Sequence, residues 1–179
     1  SVYELVGAYS TFVNNGIHIK PFFITRIEDK NGNVIENFVP KTHQALNDQT
    51  AFKMVYMLRG GVEEERGTSR GLPRDLKIDN EIGGKTGTTN NASDGWYMGI
   101  THNLVTGIWV GGDERSIHFP SWDFGAGTKS ARPIWSIFMT KLYADSTSGI
   151  SKGQFKRPAS GLDLSFDCRK FTEESDSII

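Results

Sequence analysis

Apolar residues recur at helical spacing from the start of this chain. Val2, Leu5, Val6, Tyr9, Phe12 and Val13 fall on one face of a 3.6-residue period. Asn14-Asn15-Gly16 supplies the stop, with glycine as the left-handed residue. A β-rich run from Ile17 to Ile27 follows, and Pro21 within it marks an edge or a break because it has no N–H for a ladder. Asn31-Gly32 then precedes Val34-Ile35 and predicts a hairpin. A second helix is predicted from Asn47 or Asp48 as cap, burying Phe52, Val55, Tyr56 and either Met54 or Leu58, and stopping at Gly60-Gly61. Residues 62–80 are charged and punctuated by Gly67, Gly71 and Pro73, and read as a surface loop.

Further along, the period changes. Residues 82–89, 96–101 and 104–111 read as three successive strands, the last two joined by His102-Asn103. An aromatic-bearing loop covers 112–129. A helix starts near Ser130, with Pro133 in its first turn and Trp135, Phe138, Met139 and Leu142 on one face. Beyond Asp145 the chain turns Ser-, Gly- and Lys-rich and ends acidic, so 145–179 is expected as linker and tail. The predicted fold class is α+β: an antiparallel sheet with flanking helices, a three-strand core over about 82–111, and a domain over 1–144.

Composition narrows the chemistry by exclusion. The 179 residues carry a net charge of −1, which offers no electrostatic footprint for nucleic acid. Cys168, the single cysteine, cannot form an internal disulfide or a cysteine-rich metal site and is read as inert. His18, His43, His102 and His118 are scattered without helical ligand spacing, so no metal and no cofactor is expected.

One stretch carries candidate chemistry: Ile82-Gly83-Gly84-Lys85-Thr86-Gly87-Thr88-Thr89. Its Gly-Lys-Thr could end a phosphate-binding loop, but the first glycine of that motif falls on Asp79, whose carboxylate opposes phosphate. The residues after Thr86 also make a poor helix N-terminus, so the dipole and free N–H groups that hold an anion are lacking. The alternative is a Lys-Thr-Gly strand of an acyl-serine enzyme. Lys85 then supplies positive charge near the nucleophile and a substrate carboxylate. Thr86 and Thr88 alternate with Gly87, so their hydroxyls share a side and can orient that carboxylate. Gly87 allows a substrate backbone to lie close, and the Thr88 N–H is placed for a developing oxyanion. Lys85 and Thr88 are the expected catalytic residues, and Thr86, Gly87, Thr88 and Thr89 the expected substrate-binding set.

The surroundings give the triplet a context. TTNNASDGWYMGITHNLVTGIWVGGDE follows it, with Asp-x-Trp-aromatic-x-Gly and Gly-x-Trp-Val-Gly-x-Asp. Together with SVYELVGAYSTFVNNGIHIKPFFITRI and SARPIWSIFMTKLY, it closely resembles the transpeptidase domain of class A (bifunctional) penicillin-binding proteins. The resemblance covers roughly 1–144 and, more loosely, Phe155, Pro158 and Leu162. It implies peptidoglycan D,D-transpeptidation outside the cytoplasmic membrane by a membrane-anchored parent. The implied ligands are a stem peptide ending in D-Ala-D-Ala and β-lactam antibiotics, with Asp94 and Trp96 read as structural.

The family's Ser-x-x-Lys and Ser-x-Asn motifs occur nowhere in these 179 residues. In the family both precede the segment that matches residue 1. The chain is therefore expected to be the C-terminal half of such a domain, inactive alone, with the N-terminal half of the same domain as its partner. Apolar surface left uncovered would favour self-association. A non-catalytic peptide- or wall-binding module would keep the cleft strand without the serine. A β-lactamase-like hydrolase would need a deacylating carboxylate that no motif here identifies.

Overall fold

The computed structural model describes residues 1–159 together with 161 and 162; Cys168 lies outside the described residues. Helix α1 (Val2–Val13) starts with a reciprocal capping box between Ser1 and Glu4. It ends at Asn14, and Gly16 takes the left-handed conformation expected of it (φ 82°). Strand β1 (Ile17–Ile19) pairs antiparallel with β4 (Thr42–Gln44), and β2 (Arg26–Glu28) with β3 (Val34–Asn37). The predicted β-run does break at Pro21, and residues 20–25 belong to no strand. The hairpin turns where Asn-Gly predicts. Asp29 accepts the Asn31 and Asn33 N–H groups through Oδ1, and Gly32 has φ 83°.

The second helix, α2 (Asp48–Glu63), is capped by Asn47, whose side chain accepts the Thr50 N–H at 2.7 Å. It buries Ala51, Phe52, Val55, Leu58 and Val62, so Leu58 rather than Met54 completes the apolar face. The expected stop at Gly60-Gly61 is corrected: the helix runs through both glycines. They serve packing instead. A Cβ on Gly61 would lie 2.5 Å from the carbonyl oxygen of Gly84, so the missing side chain lets the helix touch a neighbouring strand.

The surface loop expected over 62–80 is corrected as well. It holds a short helix, α3 (Arg74–Lys77), and buries Ser69, Leu72 and Leu76 under the sheet. Residues 62 and 63 belong to α2, with Val62 buried as well, so four side chains of this charged stretch face inward.

Strands β5 (Gly83–Thr88), β6 (Asp94–Ile100) and β7 (Val105–Gly111) form the predicted three-stranded antiparallel sheet in the order β5-β6-β7. A short helix, α4 (Trp122–Gly125), interrupts the loop that follows. The last helix is α5 (Ala131–Ala144). Its buried residues include Ala131, Trp135 and Met139 at four-residue spacing. Phe138 points outward with Ile134 and Ile137, contrary to the expected face.

Each face of the sheet has its own core. Phe52, Val55, Leu58 and Ile100 pack with Phe155 on the α2 side, and Val2 of α1 lies against Gly107 on that same face. Val62, Leu72, Leu76, Ile82, Tyr97, Trp135 and Met139 pack on the α5 side. There Trp135 lies so close to Gly99 that a Cβ would collide with the indole. Residue Phe155, placed by the sequence reading in a linker, is 4% exposed. Its N–H reaches Glu81 Oε2 at 2.7 Å, and Arg157 pairs with the same carboxylate at 2.6 Å. The segment beyond α5 thus returns to the domain, because Phe155 finds an apolar site and Glu81 two donors.

The two adjacent glycines of α2 give opposite expectations. Gly61→Ala drives a methyl into the Gly84 carbonyl and should lower stability by about 2 kcal/mol. Gly60→Ala meets only Glu64 Cγ, at 3.5 Å, and should be stabilising by up to about 1 kcal/mol through helix propensity. Urea midpoints of both variants check this, and equal effects would refute the close-approach role.

Candidate active site

Strand β5 carries the Lys-Thr-Gly segment, and its register places Lys85 opposite Met98, Thr86 opposite Tyr97, Gly87 opposite Trp96 and Thr88 opposite Gly95. Alternation sends these side chains to opposite faces. Lys85 is exposed on the α2 face, and its Nζ donates to the Thr86 carbonyl oxygen. Thr86 and Thr88 point to the α5 face, sharing a side as the sequence predicts. Thr86 is 9% exposed and donates its hydroxyl hydrogen to Thr68 Oγ1 at 3.0 Å. The Thr88 hydroxyl accepts the Gly127 N–H at 3.0 Å.

The backbone of this strand is paired with another strand on one side only; on the other side the Thr86 carbonyl accepts the Lys85 ammonium. Beyond the strand end, the Thr89 N–H donates to the Asp94 carbonyl at 3.1 Å. Hydrogen-bonded pairs alternate in an antiparallel ladder. Gly87–Trp96 and Lys85–Met98 are therefore the bonded pairs, and the N–H and C=O groups of Thr86 and Thr88 turn away from β6. No described strand pairs with that edge, since β5 ends the sheet. The lower part of the edge, at Gly84, is closed by Gly61 of α2.

Thr89 differs from its neighbours. Its hydroxyl donates to Asp94 Oδ2 at 2.9 Å and accepts the Asp94 N–H at 2.9 Å, with Ser93 Oγ 2.8 Å away. The other carboxylate oxygen of Asp94 accepts the Trp109 indole N–H at 2.8 Å. This cluster closes the β5–β6 turn and ties it to β7. Thr89 is thereby part of the turn that holds the edge strand in place. Trp96 stacks at a tilt on Trp109, with ring centroids 6.4 Å apart.

Sequence reasoning missed two neighbours of the strand. Thr68 lies eighteen residues before Thr86. Its own carbonyl accepts Arg132 Nη1 from α5 at 2.6 Å, so the Thr86 contact is anchored from both sides of the loop. Arg115 borders a cavity of about 490 Å³ at the end of β5, together with Thr88, Thr89, Asn90, Asn91 and Ser93. No local pattern marks either residue.

The chain belongs to the penicillin-binding protein transpeptidase domain family, whose model matches residues 1–113. Penicillin-binding protein 1A of Aquifex aeolicus is 38% identical over 143 residues, covering 78% of this chain and 19% of the relative. Penicillin-binding protein 1B of Vibrio cholerae is 30% identical over 166 residues, covering 93% of this chain and 21% of the relative. Among solved structures, penicillin-binding protein 1A from Haemophilus influenzae superposes with a TM-score of 0.71 at 26% identity, over 87% of this chain and 28% of that one. The chain thus spans about a fifth of the length of these curated relatives. The α+β fold, with its mixture of helices and antiparallel sheet, is that of penicillin-binding protein transpeptidase domains.

The Asp94 cluster makes a pH-dependent contribution. Hydrogen bonds from Trp109, then Thr89 and Ser93, outweigh desolvation, and with the charge of Arg115 they hold the carboxyl below its ordinary value of 3.8. A lowered folded pKa stabilises the fold above the unfolded value, and that contribution disappears as pH falls through the folded value. The melting-temperature difference between the native chain and Asp94→Asn should therefore be constant at neutral pH and shrink below about pH 4. A difference unchanged down to about pH 2 would contradict it.

Proposed function

We propose that this chain carries the substrate-orienting wall of a serine-type D,D-transpeptidase that cross-links peptidoglycan stem peptides and is acylated by β-lactams. The observation that carries the reading is the open edge of β5 at Thr86–Thr88. It has a lysine ammonium on one face and two threonine hydroxyls on the other. A stem peptide ending in D-Ala-D-Ala would add to that edge as an extended strand. The Thr88 N–H faces the penultimate carbonyl oxygen and stabilises its oxyanion, while the hydroxyls of Thr86 and Thr88 orient the terminal carboxylate. To donate there, the Thr86 hydroxyl must release Thr68.

The nucleophile, a serine supplied by sequence outside this chain, attacks the penultimate D-Ala carbonyl carbon. The amide C–N bond breaks, and D-Ala leaves carrying the proton taken from the serine. An amine of a neighbouring stem then attacks the acyl-serine, forming the new amide and returning the serine hydroxyl. A β-lactam enters the same path through its strained amide. Penicillin-binding protein A of Mycobacterium tuberculosis, which shares the fold, has been solved as an imipenem acyl-enzyme complex. The work belongs outside the cytoplasmic membrane, where peptidoglycan lies.

Fluorescent penicillin tests this directly. The 179-residue chain should remain unlabelled and the full-length parent should be labelled. Lys85→Ala in that parent should slow acylation by about a hundredfold, and Thr88→Val by about tenfold. Covalent labelling of the isolated chain would overturn the split site, and an unlabelled parent would favour a non-catalytic wall-binding module. The isolated chain should also self-associate through exposed apolar residues such as Phe23 (86% exposed) and Val39 (82%). Light scattering reporting a monomer at all concentrations would rule that out.

A further inference from the structure

His18 and His43 are far apart in the sequence and lack helical ligand spacing, yet β1 and β4 bring them together. They are direct partners in the antiparallel ladder, so both side chains leave the same face. Their ring centroids stand 5.1 Å apart at 54° to one another, too tilted for a face-to-face stack. The chemistry proposed above uses neither.

The hydrogen bonds of His18 settle which ring nitrogen is free. The Thr11 hydroxyl donates to the Gly7 carbonyl at 3.2 Å, so its single proton is spent inside α1. Its oxygen therefore accepts from His18 Nδ1, 3.1 Å away, and Nδ1 carries the ring proton. Nε2 is left with its lone pair. A histidine that donates its second nitrogen to a protein oxygen is held in orientation and made more basic, the arrangement found behind metal-binding imidazoles. Thr11 is buried, which shelters this bond from water, whereas His43 is exposed and its ring can turn towards His18.

The separation is that of a chelating pair. Metal–nitrogen bonds of about 2.0–2.1 Å at a tetrahedral angle hold two imidazole centres about 5 Å apart. Imidazole suits zinc and its transition-metal neighbours, while magnesium and calcium prefer oxygen ligands. Among the described residues no third histidine, cysteine, aspartate or glutamate joins the pair. Two coordination positions are therefore left for water or for a donor from outside. Lys20 and Lys41, the next cationic residues along the two strands, line a different cavity with Phe22, Phe23 and Val39.

We propose that His18 and His43 form a two-histidine site for a divalent transition-metal cation, zinc above all, with His18 binding through Nε2. The metal clips β1 to β4 at the root of the β2–β3 hairpin, and Thr11 sets the tautomer that makes His18 a ligand.

Zinc chloride titrated into the untagged 179-residue chain tests this, with the imidazole signals followed by NMR. Those of His18 and His43 should shift with one shared midpoint, at lower zinc than those of His102 and His118. At His18 the Nε2 signal should move while Nδ1 keeps its proton. His43→Gln, at an exposed position, should weaken zinc binding at His18 by roughly tenfold or more, because one ligand remains. His118→Gln should leave it unchanged. Zinc should raise the melting temperature of the native chain and not that of His43→Gln, and magnesium should do neither. Separate midpoints for His18 and His43, an undiminished affinity at His18 in His43→Gln, or an equal response to magnesium would overturn the site.

Discussion

The structure depends on one strand being paired with another strand along one side and with none along the other. A backbone edge is a strong and unselective binding surface, so the rest of the molecule must hold β5 rigid without covering it. The ladder to β6 supplies the rigidity in the plane. Perpendicular to that plane, α2 and α5 press on opposite faces, each coming close because a glycine stands at the contact. Gly83 admits Leu58 of α2 and Gly99 accommodates Trp135 of α5, while Gly61 closes the lower end of the edge at the Gly84 carbonyl. At the far end, the carboxylate of Asp94 gathers bonds from Thr89, Ser93 and Trp109, which closes the turn. What remains open is Thr86 to Thr88.

Much of this was legible in the sequence where its cause is local. The Asn47 cap, the Asn-Gly hairpin and the three strands rest on interactions within a few residues, and each stands where the pattern places it. The errors share a physical origin. A glycine pair at a helix end can mean a left-handed stop or a thin surface for close packing, and the difference lies in the distant Gly84. The charged stretch after α2 hides Ser69, Leu72 and Leu76, too few and too irregular to form a period. Phe155 has no amphipathic neighbours at all, and only the sheet core shows where it goes.

The candidate site divides the same way. That Thr86 and Thr88 share one face and Lys85 takes the other was legible, because alternation along a strand decides which side chains share a face. Thr89 obeys the same alternation, yet its hydroxyl is spent on Asp94, a commitment that spacing cannot reveal. Thr68 and Arg115 reach the strand through loops, and loops carry no period from which such an approach could be read.

The bond between Thr86 and Thr68 has one more consequence. A carboxylate arriving at Thr86 does not meet a hydroxyl bonded only to water; it competes with an internal neighbour. The net gain is the difference between a charged and a neutral acceptor for one proton. A neutral amide at the same place gains almost nothing, because it replaces one neutral acceptor by another. On the proposed reading, Thr68 is a resident competitor for the Thr86 hydroxyl, against which a peptide's free end would be compared. Discrimination between a chain terminus and the middle of a chain can arise there without any group that repels the wrong ligand.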